Sequence, residues 1–274
     1  MPAPSPRLLI DYVRSLHSVR LGLTPRDKFA LLMNRILQAG FPLSFLWYES
    51  FGRPLLDPTS LISGYRCRYG EFIFYCPGGN SEIQFLPDWE PEVKQMMAKP
   101  RDGDAVDVGA NLGLYSVMLG HHTDGKVLSV EPDPRYFKWL RKNVEANHCE
   151  NVIPVNIAAW SSSTKLKLNR HVFGGPPVDS STSSDARLGY TVDAQPLDKV
   201  LSRLFLRPKI VKIDVEGSEY QVLTGMIRTL RTCKPVLILE APSQESLSRC
   251  RGLLNSLSYD IQSLKSGNFV ASVS

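Results

Sequence analysis

The sequence predicts a doubly wound α/β domain with a mostly parallel sheet, preceded by a helical extension. Beyond residue 100, short apolar segments alternate with amphipathic helical segments, which is the pattern of repeated strand–helix units. The stretch VDVGANLG joins the first of these strands to a helix through a glycine-rich loop. The last two apolar segments are separated only by Lys265-Ser266-Gly267, which is too short for a crossover helix, so they must pair antiparallel.

The N-terminal part of the chain predicts a helical extension over residues 1–64, followed by the α/β domain over 65–274. Thr24 is suited to cap a helix, Pro25 to occupy its first position and Asp27 to lie in its first turn. Gly40 and Pro42 end this helix. Two short strands, Tyr65–Tyr69 and Glu71–Cys76, and a helix over Trp89–Met97 follow.

The α/β domain is predicted element by element from its hydrophobic periodicity. The predicted strands are Ala105–Val108, Lys126–Val130, Val152–Ile157, Ile210–Val215, Pro235–Leu239, Tyr259–Leu264 and Asn268–Val273. The predicted helices are Leu112–Leu119, a helix capped by Asp133-Pro134, Ser218–Arg231 and Gln244–Leu257. The segment 160–200 interrupts the alternation and is rich in Ser, Gly and Pro, so we interpret it as an insertion that contributes to substrate binding.

The composition is that of a globular protein with one sizeable domain. Of the 274 residues, 43% are hydrophobic and 22% are charged. The net charge of +5 permits an anionic substrate, nucleic acid or a lipid surface but requires none of them. The five cysteines are widely spread without a C-x-x-C motif, which favours reduced thiols over a zinc site or disulfides. We expect a cytoplasmic location, because no secretory apolar segment and no membrane-spanning run is found.

The GANLG loop and the acid Glu131 predict a nucleoside cofactor. In doubly wound sheets, ligands bind beyond the carboxyl ends of the strands, where Gly109 and Gly113 lie. Position 111 is Asn, where the dinucleotide fingerprint needs a glycine for close approach of a pyrophosphate, and no P-loop motif occurs. Glu131 ends the second strand about 20 residues further on and can accept both ribose hydroxyls. This combination indicates S-adenosylmethionine, the alternative being a structural turn with a solvated acid.

These motifs together resemble the FkbM family of methyltransferases. The resemblance is carried, in order, by VDVGANLG, VEPDP at 130–134, PLDKV at 196–200, KIDVEGSEYQVLTGM at 212–226 and LILE at 237–240. It spans roughly residues 85–241, and the pairing of KIDVEGSE with VDVGAN is its most specific feature. Residues 1–64 contain no motif that we can assign.

The resemblance implies a class I, S-adenosylmethionine-dependent methyltransferase with a seven-stranded, Rossmann-like sheet that ends in an antiparallel hairpin. It also implies O-methylation of a hydroxyl on a sugar, glycan or secondary metabolite. The implied positions near the methionine end of the cofactor are Asp107, Gly109, Ala110, Asn111 and Gly113. Those implied for its ribose and adenine are Glu131, Pro132, Asn156 and Ala158. An acid in the helix near Glu90 is implied to cover the cofactor, and Trp89 is equally suited to core packing.

A second acidic cluster follows the fourth predicted strand. Asp214 and Glu216 fall on one face by strand alternation, and we predict that they are catalytic. A carboxylate there can accept the proton of a hydroxyl, or two carboxylates can hold a divalent metal ion. Glu219 is as well explained by helix capping. Glu240, at the end of the fifth strand, is predicted either to orient the substrate or to be a solvated acid.

Histidines give weaker signals. His121-His122 lacks nearby metal-ligand partners and is better explained as a surface pair. His171 lies within the insertion and is better explained as an exposed loop residue than as a base.

Three other functions remain open from the sequence. A nucleic-acid methyltransferase is weakly supported by the basic charge, but base-methylating enzymes often carry an N-P-P-Y-like motif where this chain has Asp-Val-Glu-Gly. A non-catalytic cofactor-binding protein would not need the acidic cluster, whose burial costs stability. An NAD-dependent dehydrogenase is disfavoured by Asn111. We therefore expect a small-molecule or glycan acceptor rather than nucleic acid.

Overall fold

The computed structural model describes residues 18–39, 63–78, 81–168, 190–241 and 243–273. Contacts divide the chain into two compact units, residues 1–89 and 90–274. The domain boundary that the sequence predicts at residue 64 stays a prediction. No helix in the described ranges is both long enough and apolar enough to span a membrane.

The first unit contains a helix and an antiparallel hairpin. Its elements are a short 3₁₀ helix at Ser18–Leu21, α1 (Pro25–Ala39), β1 (Tyr65–Tyr69), β2 (Phe72–Cys76) and a 3₁₀ helix at Ser81–Phe85. The α1 helix begins as predicted, because the Asp27 N–H donates to Thr24 Oγ1 while Asp27 Oδ2 accepts from the Thr24 N–H. Phe74 of β2 stacks on Phe85 with ring centroids 4.5 Å apart, and both side chains are fully buried.

The second unit is a doubly wound α/β domain, which confirms the predicted fold class. Its central strands are β3 (Asp104–Val108), β4 (Val127–Val130), β5 (Val152–Val155), β9 (Pro208–Ile213), β10 (Val236–Glu240), β11 (Tyr259–Ser263) and β12 (Asn268–Val273). They form one seven-stranded sheet in the order β11-β12-β10-β9-β3-β4-β5. Pairings among β10, β9, β3, β4 and β5 are parallel, whereas β12 is antiparallel to both β10 and β11. The predicted closing hairpin is thus confirmed.

Helices connect successive strands of this sheet. They are α2 (Pro91–Met97), α3 (Leu114–His122), α4 (Pro134–Ala146), α5 (Leu197–Leu204), α6 (Glu219–Thr224), α7 (Ile227–Thr232) and α8 (Gln244–Ser256). The strands are apolar along both faces, as expected of a parallel sheet covered by helices. Val106, Leu128, Val211 and Leu237 are all fully buried in one hydrophobic core cluster.

The predicted single helix over Ser218–Arg231 is wrong, since the segment is broken at Gly225 and Met226 into α6 and α7. A side chain at Gly225 would meet the carbonyl oxygen of Trp160 at 2.0 Å, so the chain passes another backbone at that point. The Asp198 carboxylate then caps α7, accepting from the backbone N–H of Arg228 (2.9 Å) and of Thr229 (2.8 Å). This long-range cap gives the aspartate of the PLDKV motif a structural role.

The described part of the insertion contains regular secondary structure. It contributes β7 (Thr164–Leu168) and β8 (Tyr190–Gln195), which join β6 (Ala158–Ala159) in a three-stranded sheet of order β6-β8-β7. The third predicted strand, Val152–Ile157, is therefore shorter than expected and separated from β6 by Asn156 and Ile157. His171 lies outside the described residues.

Candidate active site

The glycine loop lies at the carboxyl end of β3, as predicted. Close contacts and hydrogen bonds fix the backbone at Gly109, Ala110 and Gly113. Gly109 has φ 80°, and a side chain there would lie 1.7 Å from the carbonyl oxygen of Asp214. Gly109 and Ala110 both donate their backbone N–H to the Val130 carbonyl, at 2.9 and 3.0 Å. Gly113 has φ 89° and precedes α3, and a side chain there would meet Leu140 at 2.7 Å. The loop therefore lies close between two neighbouring strands.

Glu131, at the end of β4, binds the loop directly. Its Oε2 accepts from the Asn111 N–H and its Oε1 from the Asp133 N–H, both at 2.8 Å. Asn111 itself has φ 50°, a left-handed conformation that asparagine tolerates better than most residues. Burial raises the pKa of Glu131 to about 7, although the two backbone donors oppose that rise. Each carboxylate oxygen keeps a second lone pair for a ligand hydroxyl.

An apolar cavity adjoins this loop. It is lined by Val108, Gly109, Val130, Pro132, Ala158, Ala159, Trp160, Leu166, Leu168 and Val215, among others. Of the residues predicted to flank a base, Ala158 lines the cavity, whereas Asn156 is exposed. The Asn156 amide donates to the carbonyls of Glu131 (2.7 Å) and Pro132 (3.0 Å), so it braces the Glu131-Pro132 turn. Strand β7 of the insertion contributes Leu166 and Leu168 to the same cavity.

Lys212 is the residue of this site that the sequence analysis missed. Its side chain is 2% exposed and its Nζ donates to Asp214 Oδ2 at 2.7 Å, while lying 4.7 Å from the ring centroid of Tyr115. Burial alone would lower the pKa of Lys212, but the charges of Asp214, Asp107 and Glu90 outweigh burial and raise it. Lys212 is therefore a buried ammonium ion that partly neutralises a group of acids.

Asp107 and Asp214 lie on either side of this ammonium ion. Asp107 pairs with Lys212 across β3 and β9, is 1% exposed, and accepts from Ser116 Oγ at 2.6 Å. Its Oδ1 is buried without a hydrogen-bond partner among the described residues. Burial raises the pKa of Asp107, against the effect of Lys212. Asp214, with a quarter of its side chain exposed (25%), presents the accessible carboxylate.

Glu240 and Glu216 border Asp214. Burial, followed by the charges of Asp214 and Glu90, raises the pKa of Glu240 to about 8. Desolvation and Asp214 also raise the pKa of Glu216. The alternation that placed Asp214 and Glu216 on one strand face does not apply, because β9 ends at Ile213 and Glu216 has φ 55°. Glu216 is exposed and beside Asp214 nevertheless.

A third group of polar side chains closes the cluster. Glu90, the N-cap of α2, accepts from the Tyr115 hydroxyl through Oε2 and from Asn268 Nδ2 through Oε1, the latter at 2.6 Å. Tyr115 in turn covers Lys212. Glu90 therefore contacts groups from α3 and β12, and joins the acids around Lys212.

Glu219, in contrast to Asp214 and Glu216, is held inside the domain by hydrogen bonds. It is fully buried, and its carboxylate accepts from the Gly217 N–H at 2.7 Å and from Ser246 Oγ of α8 at 2.8 Å. These contacts hold the turn before α6 and connect it to α8, whereas the capping alternative predicted a bond to an N–H of the helix itself. Among the described residues, no group of three or more His, Cys, Asp or Glu side chains is arranged to hold a metal ion.

Comparison with known proteins gives a match over this region. A sequence model described as "Methyltransferase FkbM domain" matches residues 107–261, more than half of the chain. The chain belongs to the FkbM methyltransferase family. The predicted family is thereby confirmed, and with it the class I sheet that ends in an antiparallel hairpin.

Individual relatives are distant. Hexuronic acid methyltransferase AglP of Haloferax volcanii is 27% identical over 151 residues, covering 54% of this chain and 61% of its own length. Methyltransferase sdnD of Sordaria araneosa is 28% identical over 164 residues, covering 46% of this chain and 61% of its own length. The crystal structure of methyltransferase FkbM from Methylobacillus flagellatus superposes with a TM-score of 0.47 at 17% identity, covering 70% of this chain and 53% of that one. The chain thus spans less than two thirds of the length of each of these three relatives.

The sequence contained a signal for one missed residue only. Lys212 is a charged residue inside the apolar strand IVKI, and a charge in a strand buried on both faces is unusual. Asn268 is the first residue of β12, a strand whose sequence shows no unusual feature. No residue near it in the sequence indicates a contact with Glu90.

Proposed function

We propose that this chain is an S-adenosylmethionine-dependent methyltransferase that O-methylates a hydroxyl of a sugar, glycan, glycolipid or secondary metabolite. The observation that carries the proposal is the buried Lys212–Asp214 ion pair beside the glycine loop. In this pair the Asp214 carboxylate is partly exposed next to the loop, where it can accept the proton of a hydroxyl group. The alternatives, an RNA methyltransferase and a non-catalytic cofactor-binding protein, become outcomes of the test.

The residues present fit the cofactor. The apolar cavity at Ala158 and Pro132 suits a purine, and Glu131 has free lone pairs for two ribose hydroxyls. Asp107 Oδ1, buried and without a donor among the described residues, suits the methionine end. Gly109 leaves room where any side chain would collide with the backbone. The surrounding carboxylates favour a cationic sulfonium over a neutral ligand.

The proposed chemistry needs a single proton acceptor. When bound, S-adenosylmethionine would supply the methyl group: the acceptor oxygen would form the new bond to carbon, and the electron pair of the broken carbon–sulfur bond would stay on sulfur. Asp214 Oδ1 accepts the hydroxyl proton, because Oδ2 is occupied by Lys212. Lys212 favours the carboxylate form of Asp214 without itself reaching the acceptor. Glu240, neutral at pH 7, adds no second charge to Asp214.

The charge of the site favours a neutral hydroxyl as the acceptor. The carboxylates of Asp214 and Glu216 would repel a carboxylate or phosphate group of a substrate placed next to them. They do not repel a hydroxyl, which must lose a proton and therefore benefits from a nearby base. The name of the Haloferax relative, a hexuronic acid methyltransferase, supports a sugar acceptor but not a particular atom of it. The same repulsion weighs against a nucleic-acid substrate.

The test combines cofactor binding with methyl transfer. Calorimetric titration with S-adenosylmethionine, and with NAD as the control ligand, should give micromolar binding of the first alone. Transfer of a radiolabelled methyl group is then screened over methyl glycosides, a total lipid extract and RNA. Asp214→Asn should abolish transfer and retain cofactor binding, whereas Asp260→Asn, at an exposed acid on β11, should retain both.

Each outcome decides between the candidates. Failure of the folded protein to bind S-adenosylmethionine would overturn the proposal. Transfer to RNA alone would support the nucleic-acid alternative. Full activity of Asp214→Asn would remove Asp214 from the mechanism.

A further inference from the structure

Asn268 is the first residue of β12. Its side-chain amide is buried, and only the NH₂ group of that amide makes hydrogen bonds with the described residues. The residue is 1% exposed, and Nδ2 donates to Glu90 Oε1 at 2.6 Å and to Ser266 Oγ at 3.4 Å. Its Oδ1 is buried and receives no hydrogen bond from any described residue. The orientation of the amide is fixed, because exchanging its two ends would direct Oδ1 at a carboxylate oxygen. A buried acceptor left without a donor is costly and calls for an explanation.

The register of the sheet identifies a donor. Asn268 lies directly opposite Glu240 in the antiparallel pairing of β12 with β10. Side chains of opposed residues share a face of the sheet, with Cβ atoms about 5 Å apart. A carboxylate at this position could only repel Oδ1, whereas a protonated carboxyl could donate to it.

The groups around Glu240 limit where a proton can be held. Lys212 faces it from β9, Asp214 from the residue that follows β9, and Glu90 from the start of α2. Lys212 is bonded to Asp214, and Glu90 is occupied by two donors, Tyr115 and Asn268. The carboxyl group of Glu240, by contrast, accepts no hydrogen bond from a donor among the described residues, and burial, followed by the charges of Asp214 and Glu90, raises its pKa to about 8.

We propose that Asn268 is a positioning residue that assigns the proton of this acidic cluster to Glu240, by donating to Glu90 through Nδ2 and accepting from the Glu240 carboxyl through Oδ1. The amide is suited to this because it has one donor end and one acceptor end. The consequence is that Glu240 is neutral and Asp214 is left as the carboxylate that faces the acceptor. This consequence rests on the proposed function, whereas the protonation of Glu240 can be measured without it.

The experiment is a titration of glutamate side chains in the full-length protein. Glutamate labelled with carbon-13 at the carboxyl carbon is followed by NMR from pH 5 to pH 9, and the Glu240 signal is assigned by its loss in Glu240→Gln. The wild-type signal should titrate near pH 8. In Asn268→Leu, which removes both hydrogen bonds, the midpoint should fall by about one pH unit, because one hydrogen bond to the neutral acid is lost. Asn268→Ser, which can both donate and accept, should restore most of the midpoint.

A matched control distinguishes an effect of Asn268 on the Glu240 proton from a loss of contact between α2 and the hairpin of β11 and β12. Glu92 Oε2 accepts from the Ser266 N–H at 3.0 Å and so joins the same two elements without touching the Asn268 amide. Glu92→Ala should lower the melting temperature but leave the Glu240 midpoint unchanged. A wild-type midpoint near the ordinary value for glutamate would overturn the proposal, as would an unchanged midpoint in Asn268→Leu or an equal shift in Glu92→Ala.

A separate calorimetric titration with S-adenosylmethionine distinguishes this proposal from the proposed function. If folded wild-type protein does not bind S-adenosylmethionine, the proposed function is overturned, and the titration of Glu240 still decides the role of Asn268. Tight cofactor binding with a failed Glu240 prediction would overturn only the role of Asn268.

Discussion

Replacing Glu131 by Gln tests how the loop and its acid bind the cofactor. The carboxylate accepts two backbone N–H groups at 2.8 Å, and we propose that it also accepts ribose hydroxyls. Gln offers one acceptor oxygen instead of two and no charge, so one backbone donor and one ribose hydroxyl lose their acceptor. A hydrogen bond to a charged group contributes about 1.5–3 kcal/mol, so affinity for S-adenosylmethionine at pH 8 should fall about 10- to 150-fold.

The pH dependence of binding provides a sharper test of the same residue. The ribose contact needs ionised Glu131, whose pKa is about 7 in the free protein. About one tenth of the protein is then ionised at pH 6 and about nine tenths at pH 8, so affinity should weaken about tenfold from pH 8 to pH 6. Glu131→Gln should not show this dependence. The α-amino group of the cofactor titrates too, but it contributes equally to both proteins and cancels in the difference.

Isothermal calorimetry at pH 6, 7 and 8 measures both effects. Buffers of different ionisation enthalpy should report release of about half a proton at pH 7 from wild type beyond that from the variant. Glu145→Gln, at an exposed position of α4, is the matched control and should behave as wild type. An affinity difference between wild type and Glu131→Gln that is equal at pH 6 and pH 8 would refute titration of Glu131, and no difference at all would refute the ribose contact.

Three further substitutions test other parts of the structure. Gly109→Ala should abolish cofactor binding and lower the melting temperature, because the new Cβ would lie 1.7 Å from the Asp214 carbonyl oxygen at a φ of 80°. Asp198→Ala should lower the free energy of unfolding by about 1–2 kcal/mol in chemical denaturation, because α7 loses the acceptor of its Thr229 N–H. Lys212→Met should move the acid limb of the pH–rate profile upward by about one pH unit or more, because the acids of the cluster lose their neighbouring cation.

Each of these substitutions has a control. Gly252→Ala places a Cβ in open space on α8 and should stabilise the helix slightly, so an equal loss in both glycine variants would contradict the steric argument. Asp260→Ala removes an exposed acid and should leave stability unchanged. Lys199→Met removes an exposed cation of α5 and should leave the pH profile unchanged; a profile that is also unchanged in Lys212→Met would contradict the role of the ion pair.

The parts of the site that the sequence predicts are those that local rules specify. Gly109, Gly113 and Glu131 follow strand ends at a known spacing, so their positions follow from the strand–helix alternation. The hairpin of β11 and β12 follows from a loop too short for a crossover. By contrast, Asn268 contacts Glu90 across a separation of 178 residues, and no local pattern in either segment encodes that contact.

The break between α6 and α7 was missed for the same reason. Val222, Leu223, Met226 and Ile227 keep a helical period through Gly225, so periodicity alone indicates one helix. At the break, Gly225 packs against the carbonyl of Trp160, 65 residues upstream, and the Asp198 carboxylate caps the start of α7. Tertiary contacts of this kind override local propensity.

The distribution of left-handed backbone gives an independent argument for where function resides. Among the described residues, seven non-glycine residues have positive φ. Four directly follow or cap the carboxyl ends of helices, where this conformation is ordinary: His148, Phe205, Lys234 and Ser258. The other three, Glu90, Asn111 and Glu216, surround the candidate site instead.

Each of these three conformations costs about 1 kcal/mol or more and persists only where neighbouring contacts fix it. Glu131 fixes the Asn111 N–H, while Tyr115 and Asn268 fix the Glu90 carboxylate. Stability alone would favour glycine at such positions. The presence of non-glycine side chains at these positions, at the edge where Glu131 and the acidic cluster meet the glycine loop, supports our proposal that this edge binds the cofactor and the acceptor.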